Sequence, residues 1–114
     1  MATTPITLIG TASDDIHIVS DSTTVIIEQP GGGTDLVQTS VNYTLPDNVE
    51  NITITGNNAL TATGNSVANI LTSNNAASTL VGLAGDDKYV ISNSTTVVTE
   101  ASNAGTDLIE SSVT

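Results

Sequence analysis

Short apolar pairs punctuate the chain at nearly even intervals. Ile70-Leu71, Leu80-Val81, Val90-Ile91, Val97-Val98 and Leu108-Ile109 follow one another about every nine to ten residues. Turn formers separate them: Ser73-Asn74-Asn75, Gly82 to Asp87, Ser92-Asn93-Ser94 and Ser102 to Gly105. Upstream, Ile52-Thr53-Ile54 before Gly56-Asn57 and Leu60-Thr61-Ala62 before Gly64-Asn65 read as consecutive strand-then-turn units. Runs this short, bounded by Gly, Asn and Ser, predict strands and turns.

A longer period encloses the short one. The segment beginning at Thr7 returns at Thr79, offset by 72 residues without a gap, and 18 of the 36 aligned pairs are identical. Among them are Gly10/Gly82, Asp14/Asp86, Asp15/Asp87, Glu28/Glu100 and Asp35/Asp107. Because 72 is eight times nine, a whole number of nine-residue half-coils fits the long period. The chain is expected to form one unit over 1–114, with a first period at 7–78 and a partial second at 79–114. A sequence that stops mid-period is expected of a piece of a longer array, or of a unit that stacks end to end on another copy.

Composition narrows the fold. Thr, Val and Ile supply 42 of the 114 residues, while Cys, Trp and Phe are missing. β-Branched side chains suit strands. A core without large aromatics suits a thin stack better than a sandwich.

At Gly82-Leu83-Ala84-Gly85-Asp86-Asp87-Lys88-Tyr89-Val90 the chain resembles the glycine- and aspartate-rich nonapeptide of hemolysin-type (RTX) calcium-binding repeats. Gly82, Gly85, Asp87 and Tyr89 match that pattern, and Leu83 stands where a second Gly belongs. The first copy, Gly10 to Ile18, keeps Gly10 and Asp15 but has Ser13 for Gly and His17 at the apolar position. The long strings Asp86 to Val113 and Ser40 to Gly56 resemble the family as well.

The resemblance implies an all-β fold, a parallel β-roll or β-solenoid of eighteen residues per coil, with Ca2+ held between turns of neighbouring coils. Asp15 and Asp87 are the first candidate ligands, followed by Asp14, Asp86, Asp35 and Asp107. Calcium takes six to eight oxygens, more than one turn offers. The turns expected beside Gly82–Asp87 are Ser73–Ser78 and the Ser-Asn-Ser-Thr-Thr string from Ser92, which carry Asn and Ser in place of Asp. A small number of weak sites is therefore expected. Asx-turns or plain solvation are the alternative roles for these aspartates.

Charge and chemistry then exclude several functions. Twelve acidic residues face one Lys, for a net charge of −11. That disfavours nucleic acid and anionic membrane surfaces. No apolar run is long enough to insert in a membrane, and the first ten residues lack a basic leader. Without Cys there is neither disulfide nor thiolate chemistry.

His17, the single His, is expected to be structural, and no nucleophile elbow accompanies it. Glu28 and Glu100, occurring at equivalent positions, are expected to share a structural role rather than form a glycosidase pair. Gly31-Gly32-Gly33 has no following Lys and reads as a turn. Asn57, Asn65 and Asn74 suggest amides stacked from coil to coil. The Thr53-Ile54-Thr55 and Thr61-Ala62-Thr63 strings suggest either ordinary strand threonines or a ladder on an ice- or glycan-binding face. The reading is a non-enzymatic, secreted bacterial spacer, adhesin or filament module. A calcium-independent, self-assembling fibre subunit is the alternative.

Overall fold

The chain forms a parallel β-solenoid in this computed structural model, which describes residues 6–21, 23–31, 33–73, 77–92, 95–99 and 107–111. One face is a six-stranded sheet. Its strands, in spatial order, are β2 (Ile16–Val19), β4 (Leu36–Thr39), β6 (Asn51–Ile54), β8 (Ile70–Thr72), β10 (Lys88–Ile91) and β12 (Leu108–Ser111). The other face holds β1 (Thr7–Ile9) paired with β3 (Val25–Ile27). It continues as a four-stranded sheet of β5 (Tyr43–Thr44), β7 (Thr61–Thr63), β9 (Thr79–Val81) and β11 (Val97–Thr99). Every pairing is parallel. No helix occurs among the described residues.

Strand alternation sets what faces inward. In β2 the pattern Ile-His-Ile-Val buries His17 and Val19 and exposes the two isoleucines. Register then stacks His17, Val37, Ile52, Leu71 and Tyr89 in one inward column, with Ile109 continuing it. The facing sheet contributes Leu8 beside Ile26, and the run Tyr43, Ala62, Leu80 and Val98. Val37, Ile52, Leu71, Leu80 and Tyr89 are wholly buried. Burying such a side chain contributes about 1.5–3 kcal/mol, and identical spacing repeats that contribution coil by coil.

The coils are not uniform. Along the six-stranded face the chain advances 20, 15, 19, 18 and 20 residues between paired strands. The first four advances total 72, so the long sequence period equals four coils. The short coil from β4 to β6 leaves a break on the other face, because β3 does not pair with β5. Side chains bridge that seam. Tyr43 Oη donates to Thr24 O at 2.7 Å, and Asn48 Nδ2 donates to Glu28 O at 3.1 Å. A groove of about 470 Å³ opens there, lined by Thr24, Val25, Asn42, Tyr43, Thr44 and Thr61 among others.

Three expectations are corrected by this geometry. The turns expected beside Gly82–Asp87 lie partly outside the described residues, and their described ends Ser73, Ser78 and Ser92 sit on the opposite edge of the tube. A turn's neighbour in a solenoid is one whole coil away, not half a coil. Its described neighbours are the turn 64–69, tied by Gly64 N to Val81 O at 2.7 Å, and Asp107, whose Oδ1 accepts from Asp87 N. For the same reason Asn57 is exposed on one edge while Asn65 is buried on the other, so they do not stack. Asn74 lies outside the described residues. The two Thr-x-Thr strings also part company: Thr53 belongs to the six-stranded sheet, Thr61 and Thr63 to the four-stranded one. Gly31 and Gly33 take positive φ, as a turn requires.

Candidate functional site: an acidic turn edge

One acidic or amide residue stands immediately before each strand of the six-stranded face. In coil order they are Asp15, Asp35, Glu50, Asn69, Asp87 and Asp107. Parallel pairing places them in a single column. The backbone ladder runs through it: Leu36 N to Asp15 O, Asn51 N to Asp35 O, Ile70 N to Glu50 O, Lys88 N to Asn69 O and Leu108 N to Asp87 O, all between 2.9 and 3.1 Å.

A second ladder of side chains runs beside the first. Asp15 N donates to Asp35 Oδ1 at 2.9 Å, and Asp35 N to Glu50 Oε1 at 2.9 Å. Asn69 N donates to Asp87 Oδ1 at 2.8 Å, and Asp87 N to Asp107 Oδ1 at 2.6 Å. In each rung the later coil's carboxylate accepts the earlier coil's amide. Such charge-assisted bonds are roughly twice as strong as neutral ones. They also satisfy the N–H at the point where the chain leaves the turn for the strand.

The pattern adapts where coil length changes. Before the short coil closes, Glu50 replaces Asp, and its extra methylene gives a longer reach. Asn69 then reverses polarity. Its Nδ2 donates to Glu50 O at 3.0 Å, and its Oδ1 accepts from Asn65 N at 2.9 Å. Asn65 in turn donates to Pro46 O and Val49 O.

All six aspartates singled out from the sequence lie on this edge. Asp35 and Asp87 are buried, Asp15 and Asp107 half-buried, and Asp14 and Asp86 exposed one residue earlier. Asp14 Oδ1 accepts Thr34 N from the next turn at 2.8 Å. Asp15 also closes its own turn, accepting Thr11 N at 2.7 Å and Thr11 Oγ1 at 2.9 Å. Glu50 and Asn69 were missed. Their signal was an acidic or amide residue before every strand, hidden by the unequal coil lengths.

A second missed pair lies inside the tube. His17 Nε2 is 2.7 Å from Glu28 Oε2, with the Glu28 side chain fully buried. Glu28 follows β3, and its carboxylate folds over Gly10, where a Cβ would collide with it. Glu100, its repeat mate, lies outside the described residues.

Thr23 hydrogen bonds, first from the hydroxyl and then from the backbone, hold the Asp21 carboxyl below its usual range. Burial raises the Tyr43 phenol.

The edge offers an all-oxygen donor set, which suits a hard cation such as calcium. Asp35 Oδ2 is buried with no hydrogen-bond partner. A buried, uncompensated carboxylate oxygen is costly, and a cation is one of the things that satisfy it.

No protein-family profile matches the chain, and no solved structure does. Two curated relatives from Rhizobium meliloti match part of it. The endo-1,3-1,4-beta-glycanase EglC is 38% identical over 66 residues, 58% of this chain and 14% of that protein. The endo-1,3-1,4-beta-glycanase ExsH is 37% identical over 75 residues, 66% of this chain and 16% of that protein. The chain therefore spans only about a seventh of the length of the relatives it matches. It is a β-solenoid repeat protein, related over that stretch to bacterial proteins named as glycanases.

Proposed function

We propose that this chain is a non-catalytic solenoid module of an extracellular bacterial protein, ordered in part by calcium along the acidic edge. The carrying observation is the column Asp15–Asp35–Glu50, in which Asp35 is fully buried and its Oδ2 has no partner. Asp35 and Glu50 would hold the ion in the first period, and Asp87 with Asp107 in the second. Calcium would there supply charge compensation between coils. Because the ion binds only the stacked form, its binding energy adds to folding.

Two features support the non-catalytic part. The relatives match over a small share of their length, which leaves room elsewhere in them for the chemistry their names describe. The seam groove is lined by no carboxylate, whereas glycoside hydrolysis needs two, about 5 to 9.5 Å apart, around an open site.

Far-UV circular dichroism and scattering mass, followed as calcium is titrated into EDTA-treated protein, test the reading. β Signal or melting temperature that rises and saturates is expected. A fold that is complete and equally stable in EDTA overturns the calcium part. A mass that grows with concentration favours end-to-end stacking over a monomeric spacer.

A second reading rests on the groove itself. Tyr43 is half-buried among Asn42, Thr24, Thr44 and Thr61, a hydroxyl- and amide-rich lining of the kind that binds sugars. Titration of a mixed-linkage β-glucan oligosaccharide, read at the Tyr43 ring by NMR, separates a glycan-binding module from a plain spacer.

A further inference from the structure

We propose that His17, Glu28 and Asp15 form a separate metal site, of a class different from the acidic edge, that takes one borderline divalent transition ion of the Zn2+ type. One ligand atom from each of the three residues lies within 4.8 Å of the others. His17 Nε2 and Glu28 Oε2 are already 2.7 Å apart. The independent observation is Glu28 Oε1. It is buried and without a partner, on a side chain that is 0% exposed. This carboxylate is therefore compensated on one oxygen only, and a cation beside the imidazole completes it.

The position argues for a purpose beyond packing. His17 stands in an inward column otherwise made of Val37, Ile52, Leu71 and Tyr89. Glu28 is accommodated only because residue 10 is glycine. Asp15 carries two oxygens, and their lone pairs outnumber the two donors Thr11 brings.

Ligand chemistry selects the ion. Imidazole nitrogen with carboxylate oxygen suits zinc-class ions, while calcium prefers oxygen alone. At zinc distances of about 2.0–2.2 Å, tetrahedral ligand atoms sit about 3.4 Å apart. His17 Nε2 and Glu28 Oε2 part slightly from 2.7 Å, and the Asp15 carboxylate swings in, to reach that spacing. The site occurs once, because the repeat mate of His17 is Tyr89, which offers no nitrogen.

The test titrates ZnCl2 into the EDTA-stripped, dialysed chain by calorimetry, in excess calcium so that any edge sites are filled. One Zn2+ per chain is expected, with affinity weakened roughly tenfold or more in His17→Tyr and in Glu28→Gln. Asp35→Asn, which alters the edge, should leave Zn2+ binding in place, so this proposal and the calcium reading fail separately. His17→Tyr installs the residue already present at the equivalent position, and circular dichroism checks its fold. On the unaltered protein, the 15N resonance of His17 Nε2 should move on adding Zn2+. No binding, binding of equal affinity in both variants, or a His17 resonance that ignores Zn2+ overturns the proposal.

Discussion

The chain builds the same coil twice, once from Gly10–Val19 and once from Gly82–Ile91, and the two copies differ where it matters. Both carry the same rungs: Leu36 N to Asp15 O and Leu108 N to Asp87 O at 2.9 Å, with Asp35 and Asp107 accepting from the amides of Asp15 and Asp87. Their turns nevertheless close differently. In the second copy Leu83 and Gly85 take positive φ, at 67° and 92°. In the first, Thr11 and Ser13 do not, and the turn is drawn shut by the Asp15 carboxylate on Thr11. The Gly-to-Ser exchange thus replaces a backbone solution with a side-chain one. It engages the Asp15 carboxylate locally, whereas Asp87 Oδ1 accepts from Asn69 on the neighbouring coil. The cores diverge too: Tyr89 fills its layer by volume, while His17 needs Glu28 beside it. Equal rungs with unequal turns show that the parallel ladder, not the turn, carries the repeat.

Substitutions that break the comparison rank by what they remove. Tyr89→Ala empties a wholly buried layer and should cost about 3–5 kcal/mol in urea denaturation. Asp35→Ala leaves the Asp15 amide without its acceptor and should cost about 1–3 kcal/mol, while Asp35→Asn recovers most of that.

The turns give the sharpest contrast. Gly85→Ala forces a side chain into a left-handed backbone, with its Cβ 2.8 Å from the backbone of Val67, and should cost about 1–3 kcal/mol. The equivalent Ser13→Ala, at an exposed position without positive φ, should stay within about 0.5 kcal/mol. Leu83→Gly relieves left-handed strain and should add about 0.5–1 kcal/mol by thermal denaturation, net of the entropy glycine adds to the unfolded chain.

The fold was legible because its signals are periodic. The apolar pairs that recur every nine to ten residues fall in strands β8 to β12, and the paired strands fit four coils into 72 residues. The edge was half legible. Asp15, Asp35, Asp87 and Asp107 show because the repeat duplicates them, but Glu50 and Asn69 have no repeat mates within this chain. What pattern reading misjudged was adjacency. Sequence neighbours such as Ser73 and Ser78 lie half a coil away, and contact is made a whole coil away. The His17–Glu28 pair was obscured for the same reason, since 11 residues separate two side chains that meet across the tube.

Amide hydrogen exchange at Asp15, Asp35, Asn69 and Asp87 tests the central claim most directly, because these are the N–H groups that the column of carboxylates receives. The account predicts slow exchange at all four, slower still in calcium than in EDTA. Exchange at free-peptide rates, unchanged by calcium, would contradict it.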